Sequence, residues 1–441
     1  MTDLRDRPQA ALERATIGRV SRRLIPFMFV LFVANYLDRV NVSFAALQMN
    51  RDLAFSGAAY GFGAGMFFLG YCLFQLPSNL LLQRIGARRW IGALAIGWGV
   101  VAVCMMFVRD RTGFFVLRFV LGAVEAGFFP GMILYLTRWF PARERARATA
   151  RFMAAVPIAQ IIGGPISGAL LGLQGVAGLA GWQWLFLIEG LPSIALGGCV
   201  FVWLADRPED AAWLPAAERD WLLDELRREA PLAAASPPGS RDLLSSPSLW
   251  WLGVLWLLIV LVGYGQLLWL PQLIKGADKD IGNFTVGVLS IVPPLVAAFV
   301  MVRVAALSDR TGERRGYVAG ACLVSAAGFL ASAAALHSPL LATAALSIVA
   351  IGIAASFGPF WSLATTALPA GTAVVGAAII SSIGSLGGFA GPYAVGLAKD
   401  ATGGFSGALV WFAVLSGIAA VLARFTPLGR TAGSAAARSA P

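Results

Sequence analysis

Residues 24–49 read LIPFMFVLFVANYLDRVNVSFAALQM. The run is long and apolar enough to cross a bilayer, which takes about 20 residues of helix. Yet Asp38 and Arg39 stand side by side within it. A charge at the centre of a membrane helix costs roughly 2.5–3.5 kcal/mol on insertion scales. A chain accepts that cost where charges meet one another, water or a solute. The stretch therefore predicts a membrane helix whose polar face lines an internal aqueous cavity.

The rest of the chain fits this reading. Of 441 residues, 58% are hydrophobic and 13% charged, about half the charged share of a soluble protein. The apolar runs lack period-two alternation, which predicts helices rather than a barrel. Twelve spans are expected, with cores near 24–46, 58–82, 90–108, 112–137, 146–173, 182–204, 249–272, 284–307, 316–336, 339–363, 372–398 and 405–424. The first run exceeds the apolar core of a signal peptide and follows a polar leader, so no cleaved signal is expected.

The net charge is +11, which in a soluble protein would suggest nucleic acid. The placement argues otherwise. The leader, alternate loops, central loop and tail carry most of the Lys and Arg. The opposite loops hold Arg51, Arg109, Arg111, Lys275, Lys279 and Lys399, while Arg39 and Arg118 fall inside spans. This positive-inside bias places both termini in the cytoplasm. An integral membrane protein is expected, with the lipid bilayer as partner and no nucleic acid.

Cys72, Cys104, Cys199 and Cys322 all fall in predicted spans without CxxC spacing, and His337 is alone at an outer helix end. Neither a disulfide nor a metal site is expected. No nucleophile–base pair is visible, so an enzyme is not expected, and no cofactor is implied.

Composition breaks once, between the sixth and seventh spans. The expected organisation is a leader over 1–23, a six-helix half over 24–205, a linker over 206–247, a second six-helix half over 248–425 and a tail over 426–441. Within the linker, PAAERDWLLDELRREA predicts a short helix on the inner membrane surface, with Leu214, Ala217, Trp221 and Leu226 on one stripe; a Pro/Ser segment follows. The halves repeat. RIGARR at 84–89 matches RTGERR at 310–315, Gly164-Pro165 matches Gly391-Pro392, and Pro141 matches Pro369, all at nearly one interval. Six spans, a loop and six more in the same orientation form a parallel repeat, an arrangement that binds solutes near the midplane.

Five charges fall inside the spans: Asp38, Arg39, Arg118, Glu125 and Glu189. Asp38 and Arg118 are expected at similar depth, near 10 Å from the outer end at 1.5 Å per residue, and so able to pair. Glu125 lies two turns beyond Arg118 on the same face. Two acids at different depths suit a proton relay, and an arginine that stays charged suits a carboxylate. A static ion-pair network joining the first and fourth spans is the alternative, and for Glu189 the structural role is favoured. The second half offers neutral groups instead: Tyr264, Gln266, Trp361, Ser381, Ser382 and Ser385.

NYLDRVNVS, LPSNLLLQRIGARRWIG, RFVLGAVEAGFFPGMILYLTRWFP, IGGPISG, GWQWLFLIEGLP, DRPEDAAWL and SIGSLGGFAGPY together resemble the anion:cation symporter family of the major facilitator superfamily, over about residues 18–425. The resemblance implies proton-coupled uptake of an organic anion, a carboxylate such as a sugar acid, a dicarboxylate or an aromatic acid, by an all-α membrane protein of twelve helices. It also implies Arg39 as the anion's ligand, Asp38 and Glu125 as proton-coupling acids, and Arg118 as their partner in a charge network. Tyr36, Tyr71, Gln266, Trp361, Ser381 and Ser385 fall where members contact substrate. Two positions depart from the family pattern. Serine stands at 381 and 385 where many members have asparagine, which leaves room for a bulkier acid, and Gln83 replaces a common aspartate. A monomer is expected. Export of drugs or cations, or a non-transporting nutrient sensor, are the alternative functions.

Overall fold

The computed structural model describes residues 3–233, 243–368 and 372–427. Residues 234–242 of the expected linker, Pro369 of the expected repeat and nearly all of the tail lie outside the described residues. Within them the backbone is almost wholly helical. In the first part of the chain the helices are α1 (Asp3–Val40), α2 (Val42–Asp52), α3 (Gly57–Ile85), α4 (Ala87–Cys104), α5 (Arg111–Glu125), α6 (Phe128–Trp139), α7 (Ala142–Met153), α8 (Ala155–Leu170), α9 (Gly181–Trp203) and α10 (Ala216–Ala233). There follow α11 (Pro247–Ala277), α12 (Asn283–Leu289), α13 (Val292–Thr311), α14 (Arg315–Ala334), α15 (Pro339–Ala367), α16 (Ala373–Thr402) and α17 (Ser406–Arg424).

Eleven helices among the described residues are long and apolar enough to cross a membrane, against the twelve expected. The one that falls short is the first. Its uncharged stretch, 24–37, is bounded by Arg22 and Arg23 on one side and Asp38 and Arg39 on the other. The backbone nevertheless carries on through the charged pair. Asn41, between α1 and α2, keeps helical angles (φ −56°, ψ −28°), and its N–H donates to the Leu37 carbonyl at 2.8 Å. Together α1 and α2 supply the first of the twelve spans.

The chain divides into two compact units. The first gathers Met1–Ala54, Met66–Ala235 and Asn283–Gly287; the second gathers Phe55–Gly65, Ser236–Gly282 and Val288–Pro441. Thus α3 gives its first turns to the second unit and the rest to the first. In the first unit α4 lies along α9, and α1 packs on α8 and α9. In the second, α11 lies along α16, and α14 packs on both α15 and α17.

The linker helix α10 forms where expected, but its buried stripe differs. Leu214, Glu218 and Leu222 are buried, whereas Ala217 is exposed. The stripe is set by a neighbour the sequence does not announce: α10 packs on α1, where Arg19 grips the Glu218 carboxylate at 3.0 Å. The end of α16 also differs. Lys399, expected in an outer loop, lies in the last helical turn, because the helix runs to Thr402 and stops at Gly403 with φ +71°. Glycine enters that left-handed region without steric cost. Beside Lys399, the Asp400 carboxylate accepts from the N–H groups of Gly57 and Ala58 at 2.8 Å each, capping α3.

Candidate functional site

Consecutive helical residues point about 100° apart, so Asp38 and Arg39 face different neighbours. Arg39 turns toward α5. Its Nε and Nη2 donate to Glu125 Oε2 at 3.1 and 3.0 Å. The Glu125 side chain is wholly buried, and Arg39 retains 13% exposure. Both donors converge on one oxygen; Oε1 is buried and has no hydrogen-bond partner among the described residues. Asn35, one turn before Arg39, presents Oδ1 to Nη2 at 3.5 Å.

Aromatic rings surround this pair. The Arg39 guanidinium carbon lies 5.1 Å from the Phe67 ring centre, 5.3 Å from Tyr71 and 6.0 Å from Tyr36. Arg118 stands 5.1 Å from the same Phe67 ring, and its Nη1 and Nη2 point at the Arg39 carbonyl from 3.5 and 3.4 Å. One ring thus serves two guanidinium groups, an arrangement that cation–π attraction favours. Phe67 reaches this place because α3 and α5 touch backbone to backbone. A Cβ at Gly122 would lie 1.8 Å from the Phe67 carbonyl oxygen, so no larger residue fits there without separating the helices. The Tyr36 hydroxyl accepts from Gln160 Nε2 at 2.7 Å, which fixes its ring beside Arg39.

Asp38 turns the other way, into the seam between α1 and α9. It has no exposure, and its Oδ2 accepts from Ser193 Oγ at 2.5 Å. It forms no ion pair with Arg118 or any other described cation. The expected pairing of Asp38 with Arg118 is therefore not the one that forms; the ion pair of the cluster joins Arg39 to Glu125. The two charges of the opening stretch do not share one wet wall: only Arg39 keeps contact with open space.

In the second unit, Gln266 is buried and donates to the Leu346 carbonyl at 2.7 Å, so its amide is engaged in packing α11 on α15. Trp361 is half-buried in an aromatic group with Trp256 and Phe360, at 5.0 and 5.3 Å between ring centres. Ser385 Oγ donates to the Ser381 carbonyl one turn back, at 3.2 Å. Lys399 rests 4.7 Å from the Phe405 ring centre and 5.1 Å from that of Trp269.

Sequence reasoning passed over Asn35, Phe67, Gln160 and Ser193. Asn35 had a signal, its position four residues before Arg39 on the same helix face. Phe67 had none, since an apolar residue in an apolar helix carries no mark of its neighbour.

The family model described as Major Facilitator Superfamily matches residues 28–392 of the chain. An Agrobacterium vitis protein named for tartrate transport is 47% identical over 416 residues, covering 93% of this chain and 91% of that one. A quinolone resistance transporter of Acinetobacter baumannii is 38% identical, covering 91% and 92%. Among solved structures, a bacterial homolog of the human lysosomal transporter Spinster superposes with a TM-score of 0.78 at 18% identity, over 91% of this chain and 96% of that one.

Proposed function

The chain belongs to the Major Facilitator Superfamily and is a multi-pass membrane transporter rather than an enzyme; on that premise we propose that it takes up a small organic anion, a carboxylate, together with protons. The observation that carries this reading is the ion pair between Arg39 and Glu125. An incoming carboxylate and Glu125 compete for one guanidinium. A proton on Glu125 removes its charge and frees the Arg39 donors, which then hold the anion in charge-assisted hydrogen bonds. When Glu125 gives up its proton on the far side, it reclaims Arg39 and the anion leaves. Asp38 is the second proton-coupling acid, and Arg118 stabilises the negative state of the cluster. Tyr36 and Tyr71 form the aromatic wall beside the bound carboxylate. In the second unit, Trp361, Ser381, Ser385 and Gln266 are the proposed contacts, with Gln266 acting through its oxygen because its Nε2 is engaged.

Tartrate is the first probe to try, because a relative of nearly the same length is named for its transport. The proposed setting is the bacterial inner membrane, as a monomer; the asymmetry of the basic residues supports both termini being cytoplasmic. The test is uptake of labelled tartrate into proteoliposomes with a pH-sensitive dye inside. Uptake that acidifies the lumen, depends on an inward proton gradient, and is lost in Arg39→Ala supports the reading. Tartrate-independent proton flux coupled to quinolone movement in the opposite direction would replace it with drug export, the reading that the Acinetobacter relative favours.

A further inference from the structure

The first unit contains a second acidic pair, between α1 and α9, beside the Arg39–Glu125 contact; the Glu125 carboxylate acts on Asp38 together with Glu189. On α9, Glu189 and Ser193 stand one turn apart on the same face, and on the facing stretch Asp38 and Asn41 do likewise. Ser193 meets Asp38 at 2.5 Å. The side chain of Asn41 lies beside Glu189. Glu189 is itself 4% exposed; its Oε1 accepts from Ser167 Oγ of α8 at 2.7 Å. Its Oε2, Asp38 Oδ1 and both polar atoms of the Asn41 side chain are buried without a hydrogen bond of ordinary geometry among the described residues, with Asn41 beside Glu189 and the Trp98 indole beside Asp38.

Neither acid has a cation within ion-pair distance among the described residues. The elements packed on α9 explain why. Beyond Trp90, α4 has no acid or base except Cys104, and α8 has none. On α2 the charges are Arg51 and Asp52 at its outer end, paired with each other. The cations near α1 are Arg39, committed to Glu125, and Arg118, directed at the Arg39 carbonyl. A buried carboxylate with neither a cation nor a full set of donors is severely penalised, and the usual escape is to carry a proton. Two such groups facing each other across a helix seam cannot both be ionised without further penalty.

We infer that Glu189 is a proton-holding carboxyl coupled to Asp38, so that the α1–α9 seam stores a proton that Asp38 can exchange. The proton leaves a Glu189 oxygen, which becomes carboxylate, and binds an Asp38 oxygen, which becomes neutral; the pair then holds one charge at most. Because α1 runs from Asp38 toward Asn41 and the outer end, Glu189 occupies the outer place of the pair. This rests on the proton-coupled reading above for its physiological use, though not for its chemistry.

The test uses the full chain, purified in detergent, and infrared spectroscopy of the protonated-carboxyl stretch through a pH titration. Glutamine is close in shape and still accepts from Ser167. The expected result is a protonated-carboxyl component at neutral pH that is missing from the Glu189→Gln difference spectrum and titrates at a changed pH in Asp38→Asn. A band unchanged by Glu189→Gln, or unmoved by Asp38→Asn, overturns the inference. If Glu189→Gln does not fold, Ser167→Ala keeps the carboxyl and is expected to shift the titration of the same band; no shift overturns it. In proteoliposomes with tartrate as probe, each coupled proton multiplies limiting accumulation about tenfold per unit of pH gradient. Glu189→Gln is therefore expected to lower it about tenfold under a one-unit gradient, and unchanged accumulation overturns the coupling. Absence of tartrate uptake by the wild-type protein defeats the substrate reading alone, because the infrared result does not depend on a substrate.

Discussion

The two units use their polar residues in opposite ways. In the first, Asp38, Arg118, Glu125 and Glu189 are buried, and Arg39 keeps only a sliver of exposure. Several oxygens there have no partner. In the second, the polar groups expected to meet substrate are neutral and engaged by nearby backbone: Gln266 by the Leu346 carbonyl of the neighbouring helix, Ser385 by the Ser381 carbonyl of its own. Its Lys399 and Asp400 stand at a helix end and act on rings and on the N-terminus of α3. Unsatisfied buried charge is expensive, so its concentration in one unit marks where work is done. Satisfied neutral groups mark where shape is kept.

This contrast is open to attack in order of expected effect. Arg39→Ala leaves Glu125 buried without its cation, which is expected to destabilise the protein by about 3–5 kcal/mol and to abolish tartrate uptake. Thermal unfolding and proteoliposome flux measure both, and a variant with full stability and flux would remove the special status of the first unit. Glu125→Gln, which keeps the shape, is expected to spare folding but to stop accumulation against a gradient while exchange continues. Gly122→Leu forces apart α3 and α5 where a Cβ would stand 1.8 Å from a carbonyl oxygen. A loss of about 1–3 kcal/mol or more in unfolding free energy is expected, with weakened tartrate binding because Phe67 shifts away from both arginines.

The second unit is expected to respond more mildly. Asp400→Ala removes the cap on Gly57 and Ala58 and is expected to cost about 1 kcal/mol, visible as a lower melting temperature with an unchanged number of protons per solute. A changed proton count would mean that the second unit also takes part in coupling. Smallest of all, Ser385→Ala removes a hydroxyl bonded only within its own helix and is expected to move stability by less than about 0.5 kcal/mol. Its effect belongs in the ranking of carboxylate probes by uptake competition.

Much of this was legible without coordinates. Long apolar runs can only be membrane helices, because backbone groups in lipid must be satisfied within the segment. The basic loops, the internal repeat and the five intramembrane charges are equally plain to count. What the sequence determined, then, was the class of fold, the kind of protein and which charges fall inside the spans. What only the tertiary structure decided was who meets whom. Asp38 and Arg39 are neighbours in the chain but diverge by a helical step, one to Ser193 and the other to Glu125. Glu189 gains its interest from Ser167 and Asn41, which are distant in sequence. The buried face of α10 was set by Arg19. Hydrophobic content is a sum over residues and survives being read one letter at a time. Pairing depends on helix rotation and on the close approach of particular backbones, as at Gly122, and those are settled only when the helices pack.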